Sequence, residues 1–102
     1  MEKELGIIES TYLGIEDHGI FTFFITIDYG GAKQAFGGCT LNEDGLLRRV
    51  LEAVGVTSWE KLVGRSVYAT HNSIKIVEIE APQFVPHKGP FNIDEYFNEK
   101  RK

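Results

Sequence analysis

The chain has 102 residues, the size of a single domain. Hydrophobic residues at 42% and charged residues at 25% exclude a wholly disordered chain, a collagen-like chain and a coiled-coil rod. No purely apolar run exceeds about four residues, against the ~20 of a membrane helix, and 11 basic against 15 acidic residues give a net charge of −4, the wrong sign for a general polynucleotide binder.

Leu5 to Leu13 has a strand composition (Ile7, Ile8, Thr11, Tyr12, Leu13) and ends at Gly14. Glu16-Asp17-His18-Gly19 reads as a turn. Ile20 to Tyr29 is the strongest strand pattern. Phe21, Phe23, Ile25, Ile27 and Tyr29 share one face, the expected core; Phe24 on the other face suggests a second contact surface. Gly30-Gly31 is a hairpin signal, and a third strand, about Lys33 to Leu41, is interrupted by Gly37-Gly38, a bulge or close-approach signal.

From Asn42 to Val54 the period changes. Leu46, Leu47, Val50, Leu51 and Val54 form a helical stripe, with Asn42 as N-cap, Glu43 and Asp44 in the first turn and Gly55 as the stop. Thr57-Ser58-Trp59-Glu60 reads as a capping box that opens a short helical turn. Two more strands, Ser66 to His71 and Ile74 to Glu80, flank a His71-Asn72-Ser73 turn. The phase of Ile74 and Ile76 breaks at Ile79, which predicts a bulge near Val77. Residues 81–90 hold Pro82, Pro86 and Pro90 and read as an extended loop. Asn92-Ile93-Asp94-Glu95 is a second capping box for a helix through Phe97, with residues 98–102 as a frayed tail. The whole reads as one α+β domain, residues 1–102, with a largely antiparallel sheet of about five strands, one main helix and short helices.

No catalytic motif stands out. His18, His71 and His87 lie far apart with no helical metal-ligand spacing, so no metal or other cofactor is expected. The single cysteine, Cys39, rules out a disulfide framework and reads as a half-buried strand residue rather than a nucleophile. Glu16 and Asp17 read as turn formers. Gly30-Gly31 and Gly37-Gly38 flank Gln34 and Phe36; this is either a backbone surface for a nucleotide or second subunit, or simply a hairpin and a bulge. Arg65, His71, Asn72, His87 and Lys88, near Trp59, Tyr68 and Phe91 in sequence, supply the types that phosphate and base recognition need; ordinary solvated surface is the other reading. Met1-Glu2-Lys3-Glu4 has no apolar signal core, which leaves the cytoplasm as the expected location.

Three stretches carry a family resemblance: Thr11-Tyr12-Leu13-Gly14-Ile15-Glu16-Asp17-His18-Gly19-Ile20-Phe21-Thr22, then Gln34-Ala35-Phe36-Gly37-Gly38, then Val54-Gly55-Val56-Thr57-Ser58-Trp59-Glu60-Lys61-Leu62. Across roughly residues 5 to 97 the chain resembles the phage Thoeris anti-defence sponges of the first described kind. It departs from them at Cys39, where a tyrosine often follows the Phe-Gly-Gly. The resemblance implies binding without catalysis, in the cytoplasm of an infected bacterium. The ligands would be cyclic ADP-ribose isomers made by the Thoeris TIR-domain enzyme and, in separate sites, cyclic di- or trinucleotides such as those of CBASS.

The resemblance also implies a homodimer or homohexamer with pockets at subunit interfaces, and neither membrane nor polynucleotide as partner. Carried over by order, Asn72 reads the base edge, and Lys88 with His87 pairs the phosphates. Arg48, Arg49, Arg65 and His71 are further polar candidates, and Trp59 is a stacking face or a core residue. His18, Gly19, Gly37 and Gly38 are candidates for a second nucleotide site. The alternative is a phage inhibitor that binds a host defence enzyme directly.

Overall fold

Alternating side chains build the sheet, and an extra residue in each of three strands bends it. The computed structural model describes residues 1–41, 45–72 and 74–100, Lys100 by its backbone alone. The strands are β1 (Glu2–Ile15), β2 (Phe21–Asp28), β3 (Lys33–Thr40), β4 (Ser66–His71), β5 (Ile76–Glu80) and β6 (Phe91–Asn92). They form one antiparallel sheet in the order β3-β2-β1-β4-β5-β6. The helices are α1 (Gly45–Val54) and α2 (Ile93–Lys100), with a 3-10 turn at Trp59–Lys61. No helix among the described residues is long and apolar enough to cross a membrane.

The predicted face of β2 is the centre of the core. Phe23, Ile25 and Ile27 are fully buried, whereas Phe21 and Tyr29 at its ends are not. Each register shift places one extra residue: Glu9 in β1, one of Gly38-Cys39 in β3, and Val77 in β5, as the phase break predicts. Bulges sharpen local twist and bend the strand that carries them. The curl brings opposite edges of the sheet together inside the core. Phe36 on β3 meets Phe91 on β6 edge-on, ring centroids 6.2 Å apart, and meets Phe23 at 6.0 Å. The α1 stripe covers this core through Leu46, Val50, Ala53 and Val54, with Leu47 and Leu51 partly buried beside them. The predicted cap and acidic first turn of α1 fall at residues 42–44, outside the described residues.

The end of α1 fixes the proline-rich loop. The Leu51 carbonyl accepts from both Gly55 N and Val56 N, which closes the helix at a left-handed glycine. The next two carbonyls, which have no partner within a helix, are met by the loop: Ala81 N donates to Ala53 O at 2.8 Å and Lys88 N to Glu52 O at 3.1 Å. The loop is thus held at both ends.

Further expectations differ from the structure: β5 begins at Ile76, with Ile74 exposed ahead of it. The sheet has six strands, because Phe91–Asn92 adds a two-residue strand against β5 before α2 starts. The Ser58 side chain makes no cap bond; Thr57 Oγ1 instead accepts from Lys61 Nζ at 3.4 Å. The last helix runs to Lys100, beyond Phe97. At its start Asn92 Oδ1 accepts from Glu95 N at 2.9 Å, half of the predicted box.

Gly37, which opens the β3 bulge, must be glycine. Its φ is +112°, and a Cβ there would stand 2.6 Å from the Phe23 carbonyl oxygen. Gly64, with φ +91°, faces open space. Gly64→Ala should therefore cost only the left-handed backbone penalty, ~1–2 kcal/mol, and Gly37→Ala at least ~1 kcal/mol more, because backbone must also shift. Urea titration of the two variants checks this; equal losses would mean that β3 gives way freely at the bulge.

Candidate functional site

The residues expected to bind ligand fall in different places, set by the two faces of the sheet. His71 and Asn72 close β4. Asn72 Oδ1 accepts from Ile74 N at 2.7 Å and Lys75 N at 2.9 Å, so its amide oxygen holds the turn. His71 packs beside the Tyr29 ring, centroids 5.4 Å apart, with Nε2 2.9 Å from Glu4 Oε1. Burial, with the Glu4 charge nearby, pushes the Tyr29 hydroxyl up to about 12, and that hydroxyl donates to Gln34 Oε1 at 3.0 Å. Met1, Glu2, His71 and Asn72 line a hollow of about 330 Å³.

His87 and Lys88 lie in the loop anchored on α1. His87 Nδ1 is 2.6 Å from the Val85 carbonyl oxygen and Nε2 is 2.9 Å from Glu80 Oε2. Two acceptors facing both ring nitrogens favour the imidazolium, and the Glu80 hydrogen bond, then the Val85 one, hold the His87 pKa above its ordinary value. Lys88 Nζ lies 3.4 Å from Glu52 Oε2, and its side chain is mostly exposed. Both cations stand near the C-terminal end of α1, where the helix dipole favours positive charge.

The loop also shapes the largest of these hollows, about 500 Å³, lined by Lys3, Tyr68, Glu80, Ala81, Pro82, Gln83, Phe84 and His87. Register puts Lys3 opposite Thr70 and Leu5 opposite Tyr68 on the outer face of the sheet. The Lys3 ammonium sits over the Tyr68 ring, 5.4 Å from its centroid. Phe84 is 86% exposed. An exposed aromatic, a second ring and a cation are what stacking on a base and pairing with a phosphate require. Lys3 and Phe84 carry no sequence signal of their own; only the β1–β4 register and the anchored loop unite them with Tyr68.

The other candidates are dispersed. Trp59 Nε1 donates to Thr11 Oγ1 at 3.1 Å, and its ring stands at 89° to Phe23, 6.0 Å away, so the indole covers the core. Arg49 places its guanidinium over the Phe91 ring at 5.3 Å, Arg48 is exposed on α1, and Arg65 is exposed before β4.

His18 and Gly19 sit at the β1–β2 turn, where Gly19 N donates to Glu16 O at 2.8 Å. A hollow of about 440 Å³ there is lined by Tyr12, Ile15, Glu16, Asp17, His18 and Phe24. Tyr12 and Phe24 are register partners with rings 6.5 Å apart, which accounts for Phe24 on the outer face. Gly37 and Gly38 line a different hollow, with Cys39, Lys75, Ile93 and Phe97 among its walls. Burial pushes the Cys39 thiol up, so it stays protonated.

No family model, curated protein or solved structure matches the chain.

The raised His87 pKa has a stability consequence. The folded state holds its proton more tightly than the unfolded chain does, whose histidine titrates near 6.5. The stabilisation is complete below about 6.5 and fades as pH rises through the higher folded value. Denaturant titrations across that window should show stability falling with rising pH in the native chain and a flatter profile in His87→Gln. Equal slopes would mean that His87 makes no such contribution.

Proposed function

We propose that the protein binds a cyclic nucleotide immune signal and sequesters it unchanged, so that a host defence effector is starved of its activator. A cyclic ADP-ribose isomer is the first ligand, and cyclic di- or trinucleotides are the second class. The observation that carries this reading is the outer hollow, which Phe84 of the anchored loop lines together with Tyr68 and Lys3 of the sheet. The resemblance of the Glu-Asp-His-Gly turn and the Phe-Gly-Gly strand to the Thoeris sponges supports the same ligand class. In this reading an adenine stacks on Phe84 or Tyr68, and Lys3 pairs with a phosphate oxygen. Asn72 and Lys88 serve less directly, Asn72 by holding its turn and Lys88 by its charge in the same loop, beside Glu52.

The reading includes self-association into a dimer or hexamer in the host cytoplasm. Leu5 and Ile7 on the outer face of β1 are about half exposed and continue the row from Phe84 and Tyr68. The same row favours a second reading, direct binding to a host defence enzyme.

Thermal shift against cyclic ADP-ribose isomers, cyclic dinucleotides and cyclic trinucleotides separates the two. A ligand at 100-fold excess over Kd stabilises the fold by ~2.7 kcal/mol. The sponge reading expects a clear rise in Tm with at least one of these compounds. Phe84→Ala and Lys3→Glu, both at exposed positions, should each weaken that binding about tenfold, within the ~1–3 kcal/mol of a base-stacking contact. No shift with any compound would favour the protein-binding inhibitor, and unchanged affinity in both variants would move the site elsewhere.

A further inference from the structure

On the inner face, at the opposite end of β4 from its start, three metal-ligating side chains converge. Residues 2 and 4 of β1 share one face because side chains alternate along a strand. Register sets Glu2 directly opposite His71, and Glu4 is the diagonal neighbour. One ligand atom from each of Glu2, Glu4 and His71 lies within 4.8 Å of the others. Bonds of ~2.0–2.2 Å to a zinc-sized ion bring two ligand atoms to at most ~4.4 Å apart. The Glu2 side chain is exposed, which leaves it room to turn toward the other two.

The imidazole is oriented for the task. Its Nδ1 lies 3.4 Å from the Asn72 carbonyl oxygen, and the Tyr29 ring packs beside it. A backbone carbonyl that accepts from Nδ1–H turns the Nε2 lone pair outward, the arrangement that surrounds many metal-bound histidines. Here Nε2 points at the Glu4 carboxylate, 2.9 Å away. Either an Nε2–H hydrogen or a metal ion can bridge these two atoms. The Asn72 carbonyl is itself approached by Gln34 Nε2 at 3.5 Å, so the carbonyl that orients the ring belongs to a wider contact between β3 and the turn.

We propose that Glu2, Glu4 and His71 form a binding site for one divalent transition-metal ion of the zinc class. Imidazole with carboxylates suits Zn2+ or Co2+. Three protein ligands leave a position open to solvent, through the hollow beside Met1 and Asn72. The ion would clamp the start of β1 to the end of β4. The proposal stands independently of the nucleotide reading, whose hollow lies on the outer face.

The test is titration of metal-stripped protein with Zn2+ by calorimetry and with Co2+ by visible absorption. The expected result is one ion per chain, a rise in Tm that a chelator reverses, and a Co2+ d–d absorption band. His71→Asn and Glu2→Gln should each weaken binding at least tenfold and abolish the band. His18→Asn, which alters an exposed imidazole at the far turn, should change neither. Glu2→Gln lies at an exposed position and keeps its shape, so it remains informative if the His71 variant folds poorly. Absence of saturable binding by either ion, or equal binding in Glu2→Gln and the native chain, would overturn the site.

Discussion

The contact between Phe36 and Phe91 is the constraint on which the rest depends. One ring belongs to each edge of the sheet, and they meet edge-on in the core. An antiparallel sheet with one open face need not curl this far. Here the bulges at Glu9, at Gly38-Cys39 and at Val77 supply the bend. Thr22, fully buried, donates its hydroxyl to the Cys39 carbonyl at 2.6 Å and so satisfies an acceptor next to the β3 irregularity. Losing the glycine bulge would straighten β3 and withdraw Phe36 from both Phe23 and Phe91.

The curl also gives the two faces different surroundings. The inner face is filled by α1 and the aromatic row, and at the end of β4 Glu2, Glu4, Tyr29 and His71 gather on it. The outer face keeps Lys3, Leu5, Ile7 and Tyr68 in reach of solvent, and the loop tied to the α1 carbonyls brings Phe84 and His87 alongside them. Neighbouring residues of one strand, Glu2 and Lys3, thus serve separate surfaces, because side chains alternate.

Much of the fold was legible in local pattern. The β2 alternation, the Gly30-Gly31 turn, the α1 stripe, its stop at Gly55 and the bulge at Val77 each follow from a short-range rule, and the structure has each of them. The Asp28 carboxylate, which accepts from Gly30 N and Gly31 N and is held below its usual range by those two bonds, adds a hairpin device that the sequence hid. β6 was missed because two residues carry no periodicity, and Asn92 signals a helix cap more strongly than a strand. The Thr57-Ser58-Trp59-Glu60 segment opens a 3-10 turn in which Ser58 makes no side-chain cap bond. The site was less legible. His71 and His87 were singled out by type, but their partners Glu4 and Glu80 come from register and loop anchoring. Lys3 and Phe84 joined Tyr68 for the same reason.

The central claim is retention of a small cyclic nucleotide without turnover, and the most direct measurement is recovery of the bound compound. The protein is incubated with a cyclic ADP-ribose isomer, freed of unbound nucleotide, denatured by heat and the supernatant examined by mass spectrometry. A sponge returns the same isomer intact, in a fixed ratio to protein chains. A hydrolysed product would make the protein an enzyme, and no nucleotide at all would contradict the sponge.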